Sequence, residues 1–103
     1  MPRKPRTKSE TNIYHVVIRG ADRQQMFEDK NDYLKYLDIL DYYKQECNFY
    51  IYAYCLMNNH VHLLIFTPDT PIETIFRRIN TRYAVWFNMK YDRTGYLQQG
   101  RYY

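Results

Sequence analysis

The amino-acid sequence predicts an α+β fold built on one antiparallel sheet, and three observations lead to that prediction. Stretches with strand periodicity and stretches with helix periodicity follow one another in the order β-α-β-β-α-β. Two of the strands meet at Asn58-Asn59, a pair suited to the positive φ values of a tight hairpin turn. This order is typical of the ferredoxin-like arrangement, in which both helices cover one face of the sheet.

The first strand and the first helix are predicted from two different periodicities. Residues 13–19 alternate between two faces, and Gly20 ends this strand. Asn31 or Asp32 is expected to cap a helix that runs to about Cys47. The residues that recur at helical spacing, and are expected to face the sheet, are Leu34, Leu37, Leu40 and Tyr43 or Lys44.

The second half of the chain supplies the remaining elements. Residues 49–57 predict the second strand, and the run that begins at His60 predicts the third. A second helix is expected from Ile72 onward, and residues 96–103 after Gly95 are expected to be extended. The apolar face of the second helix is marked by Ile75, Phe76, Ile79, Tyr83 and Trp86.

The third strand carries the most informative motif, His60-Val61-His62. Alternation places both imidazoles on one face, the open face, and the neighbouring apolar residues on the helix-covered face. Because the first and third strands are adjacent in this topology, His15 and Arg19 are expected on the open face as well. Two neutral imidazoles can hold a divalent metal, although such a pair can equally be an ordinary hydrogen-bonded one. His15 could be a third ligand, or it could position another group.

Composition and charge favour a polyanionic partner. The chain has 103 residues, enough for one domain, and a formal net charge of +4. Residues 1–11 are expected to form a flexible basic arm, and residues 12–103 the folded domain. Both this arm and a basic side of the second helix could contact phosphates or could simply be solvated. The candidate nucleic-acid-binding residues are Arg3, Lys4, Arg6, Arg77, Arg78 and Arg82.

The compartment is inferred from what the sequence lacks. Cys47 and Cys55 do not form a CxxC motif and are expected to be reduced, semi-buried thiols. No apolar stretch reaches the ~20 residues that a membrane span needs, and the N-terminus lacks the apolar core of a signal peptide. The sequence therefore predicts a cytoplasmic protein with no membrane partner.

Several blocks of the sequence, taken in order, resemble the single-tyrosine HUH transposases. The resemblance is to the insertion-sequence-200-like branch that includes the REP-associated tyrosine transposases. It covers nearly the whole chain. The matching blocks are residues 1–6, 14–16, 19–20, 53–64, 83–88, 95–97 and 99–102.

This resemblance implies an enzyme that cleaves and rejoins single-stranded DNA, often folded into hairpins. It implies that His60 and His62 hold Mg²⁺ or Mn²⁺, which polarises the scissile phosphate. A tyrosine hydroxyl then attacks and leaves a 5′-phosphotyrosine link, which keeps the energy of the phosphodiester for rejoining. Some members of the family are homodimers and others are monomers, so a homodimer is possible.

The chain departs from the family pattern at its end. The nucleophilic tyrosine of the family, and the polar side chain that completes metal ligation, lie on a helix beyond the segment that Tyr102 and Tyr103 match. Neither residue can be carried over to this sequence, so no catalytic tyrosine is assigned. The resemblance thus implies either a truncated form of such an enzyme or a remnant that retains the metal and DNA surfaces and only binds DNA. Tyr83 lies on the apolar stripe of the second helix, which favours core packing.

Two other functions are compatible with parts of this pattern. One is a non-catalytic single-strand-binding module of RRM-like topology, but an RRM places stacking aromatics where this chain has His60 and His62. The other is a replication-initiator-like nickase, which shares the histidine pair and fits the remaining blocks less well. The sequence thus favours a DNA transposase of the HUH type.

Overall fold

The computed structural model describes residues 11–102, except for the side chain of Arg101. Arg3, Lys4 and Arg6 of the predicted basic arm lie outside the described residues. A 3₁₀ turn at Ala21–Arg23 follows the first strand. The elements are β1 (Ile13–Gly20), α1 (Lys30–Glu46), β2 (Tyr50–Met57), β3 (His60–Phe66), α2 (Ile72–Lys90) and β4 (Gln98–Tyr102).

The four strands form one antiparallel sheet in the order β2-β3-β1-β4. β1 and β3 are therefore the central pair, and in their register Val17 lies opposite His62 and Arg19 opposite His60. β2 is an edge strand and contains a bulge between Ile51 and Ala53. The predicted α+β fold of ferredoxin-like order is confirmed.

The hydrophobic core lies between the sheet and the two helices. The strands contribute alternate residues to it, because successive side chains of a strand point to opposite faces. The strand residues of the core cluster are Tyr14, Val16, Ile18, Val61, Leu63 and Ile65, and those of α2 are Ile72, Ile75, Phe76, Ile79, Tyr83 and Phe87. Val17 is also buried, but it lies opposite His62 and outside this cluster. The face of the sheet opposite the helices is the open face, where the histidines lie.

The start and the buried side of α1 differ from the prediction. Asp29 is the N-cap, and Asp32 is the third helical residue, whose carboxylate accepts from the Asp29 backbone N–H in a capping box. The prediction that Asn31 or Asp32 is the N-cap is therefore wrong. Leu34 is 51% exposed, whereas Tyr36 and Ile39 are buried. Leucines at intervals of three residues move progressively away from the buried face of the helix, because a helix has 3.6 residues per turn.

The thiols also differ from the prediction. Cys47, which ends α1, is buried in the core, and Cys55 on the edge strand is exposed. The prediction that both are semi-buried is wrong for each, while both are free thiols as expected. Within the described residues, no helix combines the length and the apolar character needed to cross a membrane.

Candidate metal and phosphate site

Three histidines from the two central strands meet on the open face. His15 Nε2 lies 3.1 Å from His62 Nδ1, and the two rings stack with centroids 5.3 Å apart. The rings of His60 and His62 meet edge to face with centroids 5.0 Å apart. His60 and His62 are half-buried and His15 is exposed. The sheet thus brings together the three imidazoles that the sequence placed on one face.

The hairpin turn fixes the orientation of His60. Its Nδ1 lies 2.8 Å from Oδ1 of Asn59. An amide oxygen only accepts, so Nδ1–H donates, and Nε2 is the nitrogen that carries the lone pair in the neutral ring. The turn itself is held in place, because the carbonyl oxygen of Asn59 accepts from the backbone N–H of Gly20 and that of Asn58 accepts from Met26 and Phe27.

A pocket of about 330 Å³ opens beside His60 and His62. Its other walls are Arg19, Gly20, Arg23 and Asn59. Arg19 was predicted for this face, but Arg23 was missed. The available signal was a second arginine four residues after Arg19, in the loop that follows the glycine at the end of β1. Two guanidinium groups and two imidazoles around one cavity suit a phosphate group.

The environment keeps His62 neutral. Desolvation by burial lowers the pKa of its imidazole, and the nearby His60, His15 and Arg19 lower it further. A lowered pKa keeps a free nitrogen lone pair on the ring at neutral pH, which is the form that binds a metal.

The donor set within the described residues is incomplete for a metal site. In this part of the chain, no cluster of three or more His, Cys, Asp or Glu side chains is arranged to hold an ion. The two imidazoles of β3 fit two positions of a divalent ion, because their Nδ1 atoms have hydrogen-bond partners and their Nε2 atoms lie at the other end of each ring. Mg²⁺ and Mn²⁺ would complete their coordination with oxygen ligands, from water or phosphate.

The candidate arginines of α2 lie away from this site. Arg77, Arg78 and Arg82 are exposed on the helix layer, on the other side of the sheet from the histidines. Arg82 stacks over the ring of Tyr42 at 4.8 Å, and Arg78 contacts the Cys47 sulfur. The fold therefore does not bring them together with the histidine pair, and a role in binding DNA stays a prediction.

Among the described residues, no tyrosine lines the histidine pocket. Tyr83 is fully buried, as expected, and its hydroxyl donates to the carbonyl oxygen of Met26 at 2.5 Å. Burial raises its pKa, which opposes formation of a nucleophilic phenolate. Tyr102 contacts Phe76 on the helix-covered side.

Comparison with known proteins identifies the family to which this chain belongs. The model of a family described as "Transposase IS200 like" matches residues 8–103. The chain belongs to the IS200-like transposase family. The resemblance inferred from the sequence blocks is thereby confirmed. No curated protein matches the chain in sequence.

Two solved structures share the fold of this IS200-like transposase chain. One is a REP-associated tyrosine transposase bound to a REP hairpin, with a TM-score of 0.79 and 15% identity. The alignment covers 100% of this chain and 60% of that one. The other is a Deinococcus radiodurans R1 protein assigned as a transposase, with a TM-score of 0.64, 22% identity, and coverage of 88% and 70%. The chain therefore spans about three fifths of the length of the first of these relatives.

Proposed function

We propose that this chain forms the metal- and phosphate-binding core of an HUH-type transposase that cleaves and rejoins single-stranded DNA. The partner is hairpin-forming DNA, and the compartment is the cytoplasm. Membership of a transposase family supports an enzyme that processes DNA. The observation that carries the finer proposal is the pair of imidazoles on β3 beside a pocket with two arginines.

His60 and His62 are the proposed ligands of Mg²⁺ or Mn²⁺. Asn59 orients His60 through Nδ1. If Nδ1–H of His62 donates to His15 Nε2, the Nε2 lone pair of His62 is free as well. His15 then acts as a positioning residue behind the ligand. The bound ion would supply Lewis-acid polarisation of the scissile phosphate.

Arg19 and Arg23 are the proposed phosphate contacts. Both side chains border the pocket of the two histidines. A guanidinium group is always charged and pairs with phosphate oxygens through a fixed fork of donors. In this position the two residues would hold the scissile phosphate. They would also stabilise the negative charge that builds up on it when a nucleophile attacks the phosphorus.

The proposed displacement needs a tyrosine hydroxyl as nucleophile, which gives a 5′-phosphotyrosine link and a free 3′-hydroxyl. No described tyrosine borders the histidine pocket, and Tyr103 matches the segment that precedes the nucleophile helix of the family. We therefore propose that the nucleophile and the third metal ligand come from a segment other than residues 1–103. We therefore expect the chain to bind DNA with metal dependence and to form no covalent adduct by itself.

The proposal is tested with a labelled single-stranded hairpin DNA in the presence and absence of Mn²⁺. Native binding and denaturing gels are compared for the wild type, His62→Ala and His60→Ala. Lys35→Ala is a matched control, because this half-buried cation lies on the helix layer beside Trp86. We expect Mn²⁺ to strengthen DNA binding by the wild type and the control and to have no effect on the two histidine variants.

Two results would contradict parts of the proposal. Metal-independent binding that survives both histidine substitutions would instead favour the non-catalytic single-strand-binding module. A slow-migrating adduct that His62→Ala abolishes would place the nucleophile within residues 1–103, and would overturn its assignment to another segment.

A further inference from the structure

The open face carries a second surface next to the histidines, made of aromatic side chains. Tyr50 and Tyr52 of β2 both stack on Phe66 of β3, with ring centroids 5.9 and 6.3 Å from it and interplanar angles of 30° and 17°. Tyr50 is 52% and Tyr52 58% exposed. We call these three residues the aromatic platform.

A shallow depression shares His62 with the histidine pocket and reaches Ala53 and Leu64, which lie next to the platform residues along β2 and β3. It has a volume of about 350 Å³ and its floor includes the small side chains of Ala53 and Cys55, between His62 and Leu64. His62 and Phe66 are four residues apart on one strand and on the same face, a span of about 13 Å. Such a span accommodates a few nucleotides of one strand.

The charge of the sheet suits a polyanion. The chain has 11 acidic residues, and none of them lies in any of the four strands. The open face instead carries Arg19 and the three histidines. A phosphate backbone that crosses this face therefore meets no carboxylate from the strands, and at the histidine end it meets the guanidinium groups of Arg19 and Arg23.

We propose that the aromatic platform is a stacking site for unpaired nucleobases of single-stranded DNA whose neighbouring phosphate occupies the histidine pocket. Aromatic rings stack on any base because every base has a π-face, so the site fixes the path of the strand without selecting its sequence. The tyrosines stay exposed in the free protein, and the bases cover them in the complex. This inference rests on the proposed function, since it extends the same DNA strand along the sheet.

The test compares Tyr50→Leu and Tyr52→Leu with Tyr54→Leu. Tyr54 is on the same strand, 57% exposed, and borders the depression, but it lies opposite Leu63, whose side chain is on the helix-covered face. Its ring is therefore expected on the face opposite the platform. Leucine keeps an apolar side chain and removes the ring. Circular dichroism checks folding, and Tyr52→Phe, which retains the ring, should bind like the wild type.

Affinity for a single-stranded oligonucleotide is measured by fluorescence anisotropy at several salt concentrations. We expect each platform variant to bind about 5-fold to 100-fold more weakly, because a stacked base contributes that much by ring removal. The slope of log affinity against log salt should not change, because a tyrosine neutralises no phosphate. The fluorescence of 2-aminopurine in an oligonucleotide should be quenched when the wild type or Tyr54→Leu binds it. The quenching should be weaker when a platform variant binds.

Three outcomes would overturn the inference. If the wild type binds DNA and the platform variants bind as tightly as Tyr54→Leu, the platform does not stack bases, while the proposed function stands. If the wild type does not bind single-stranded DNA, the proposed function fails together with the inference. If sedimentation shows a dimer of the free protein that Tyr52→Leu dissociates, the platform is covered by a second copy of the chain.

Discussion

Replacing Asp32 with alanine should destabilise the fold far more than its place on a surface helix suggests. The Asp32 side chain is fully buried and ties the start of α1 to the end of α2. Its carboxylate accepts from Lys90 Nζ at 2.7 Å, from the Tyr91 hydroxyl at 2.5 Å, and from the backbone N–H of Glu28 at 2.8 Å and Asp29 at 3.3 Å. The substitution leaves all four donors without this acceptor.

The loss in the free energy of unfolding depends on which of the four donors still have another acceptor. Breaking a buried ion pair by removing one member costs about 3–5 kcal/mol. The Lys90 side chain is 29% exposed and keeps its ion pair with Asp29 at 3.0 Å, so the lower end, about 3 kcal/mol, applies. For a domain of this size, that loss lowers Tm by roughly 12–24 °C.

Urea unfolding followed by circular dichroism measures this free energy. Asp41→Ala is the matched control on the same helix, because Asp41 pairs with Lys44 at 3.5 Å with both side chains largely exposed. That control should change the free energy of unfolding by less than about 1 kcal/mol. If Asp32→Ala is no more destabilising than Asp41→Ala, the assigned role of the buried carboxylate is wrong.

The same carboxylate predicts a dependence of stability on pH. Burial acts to raise the pKa of Asp32, but hydrogen bonds from Lys90, Tyr91 and the backbone outweigh it and lower the pKa below 3.8. The stabilisation is therefore fully present above pH 3.8 and is lost as the pH falls from there through the folded-state pKa. Asp32→Asn should lose less stability than the wild type over that interval in acid-unfolding experiments.

Three further outcomes are expected. Asn59→Ala should weaken Mn²⁺ binding about 10-fold to 100-fold by freeing the His60 ring, and unchanged affinity in an isothermal titration would contradict this. Arg77→Gln and Arg78→Gln should each flatten the salt slope of single-stranded DNA binding by about 0.7 if the side chain contacts a phosphate, whereas an unchanged slope would assign it to the solvated side of α2. Gly20→Ala should cost about 1–3 kcal/mol in urea unfolding, since the added Cβ would lie 1.9 Å from the carbonyl oxygen of Gln24, and wild-type stability would contradict that contact.

The sequence predicted the parts of the structure that depend on strand periodicity. His60 and His62 share a face because strand side chains alternate, and His15 joins them because β1 and β3 are adjacent in this topology. The same alternation placed the core residues of both strands on the helix-covered side. These inferences needed only local pattern and the order of elements.

Features that depend on register or on long-range contacts were not predictable. Both Asp29 and Asp32 can cap a helix, but Asp32 is the one whose carboxylate contacts both Lys90 and Tyr91 at the end of the other helix. The aromatic platform depends on the bulge beside Tyr52, which shifts the pairing of β2 with β3. A bulge adds one unpaired residue and changes which side chains are neighbours across the strands.

The central claim is that the histidine pair binds a divalent metal that acts on a DNA phosphate. A titration of Mn²⁺ followed by electron paramagnetic resonance, for the wild type and His62→Ala, with and without single-stranded hairpin DNA, tests it most directly. The account predicts one Mn²⁺ site per wild-type chain, tighter with DNA because phosphate oxygens complete the coordination, and loss of that site in His62→Ala. Equal Mn²⁺ affinity in the wild type and His62→Ala would contradict the account.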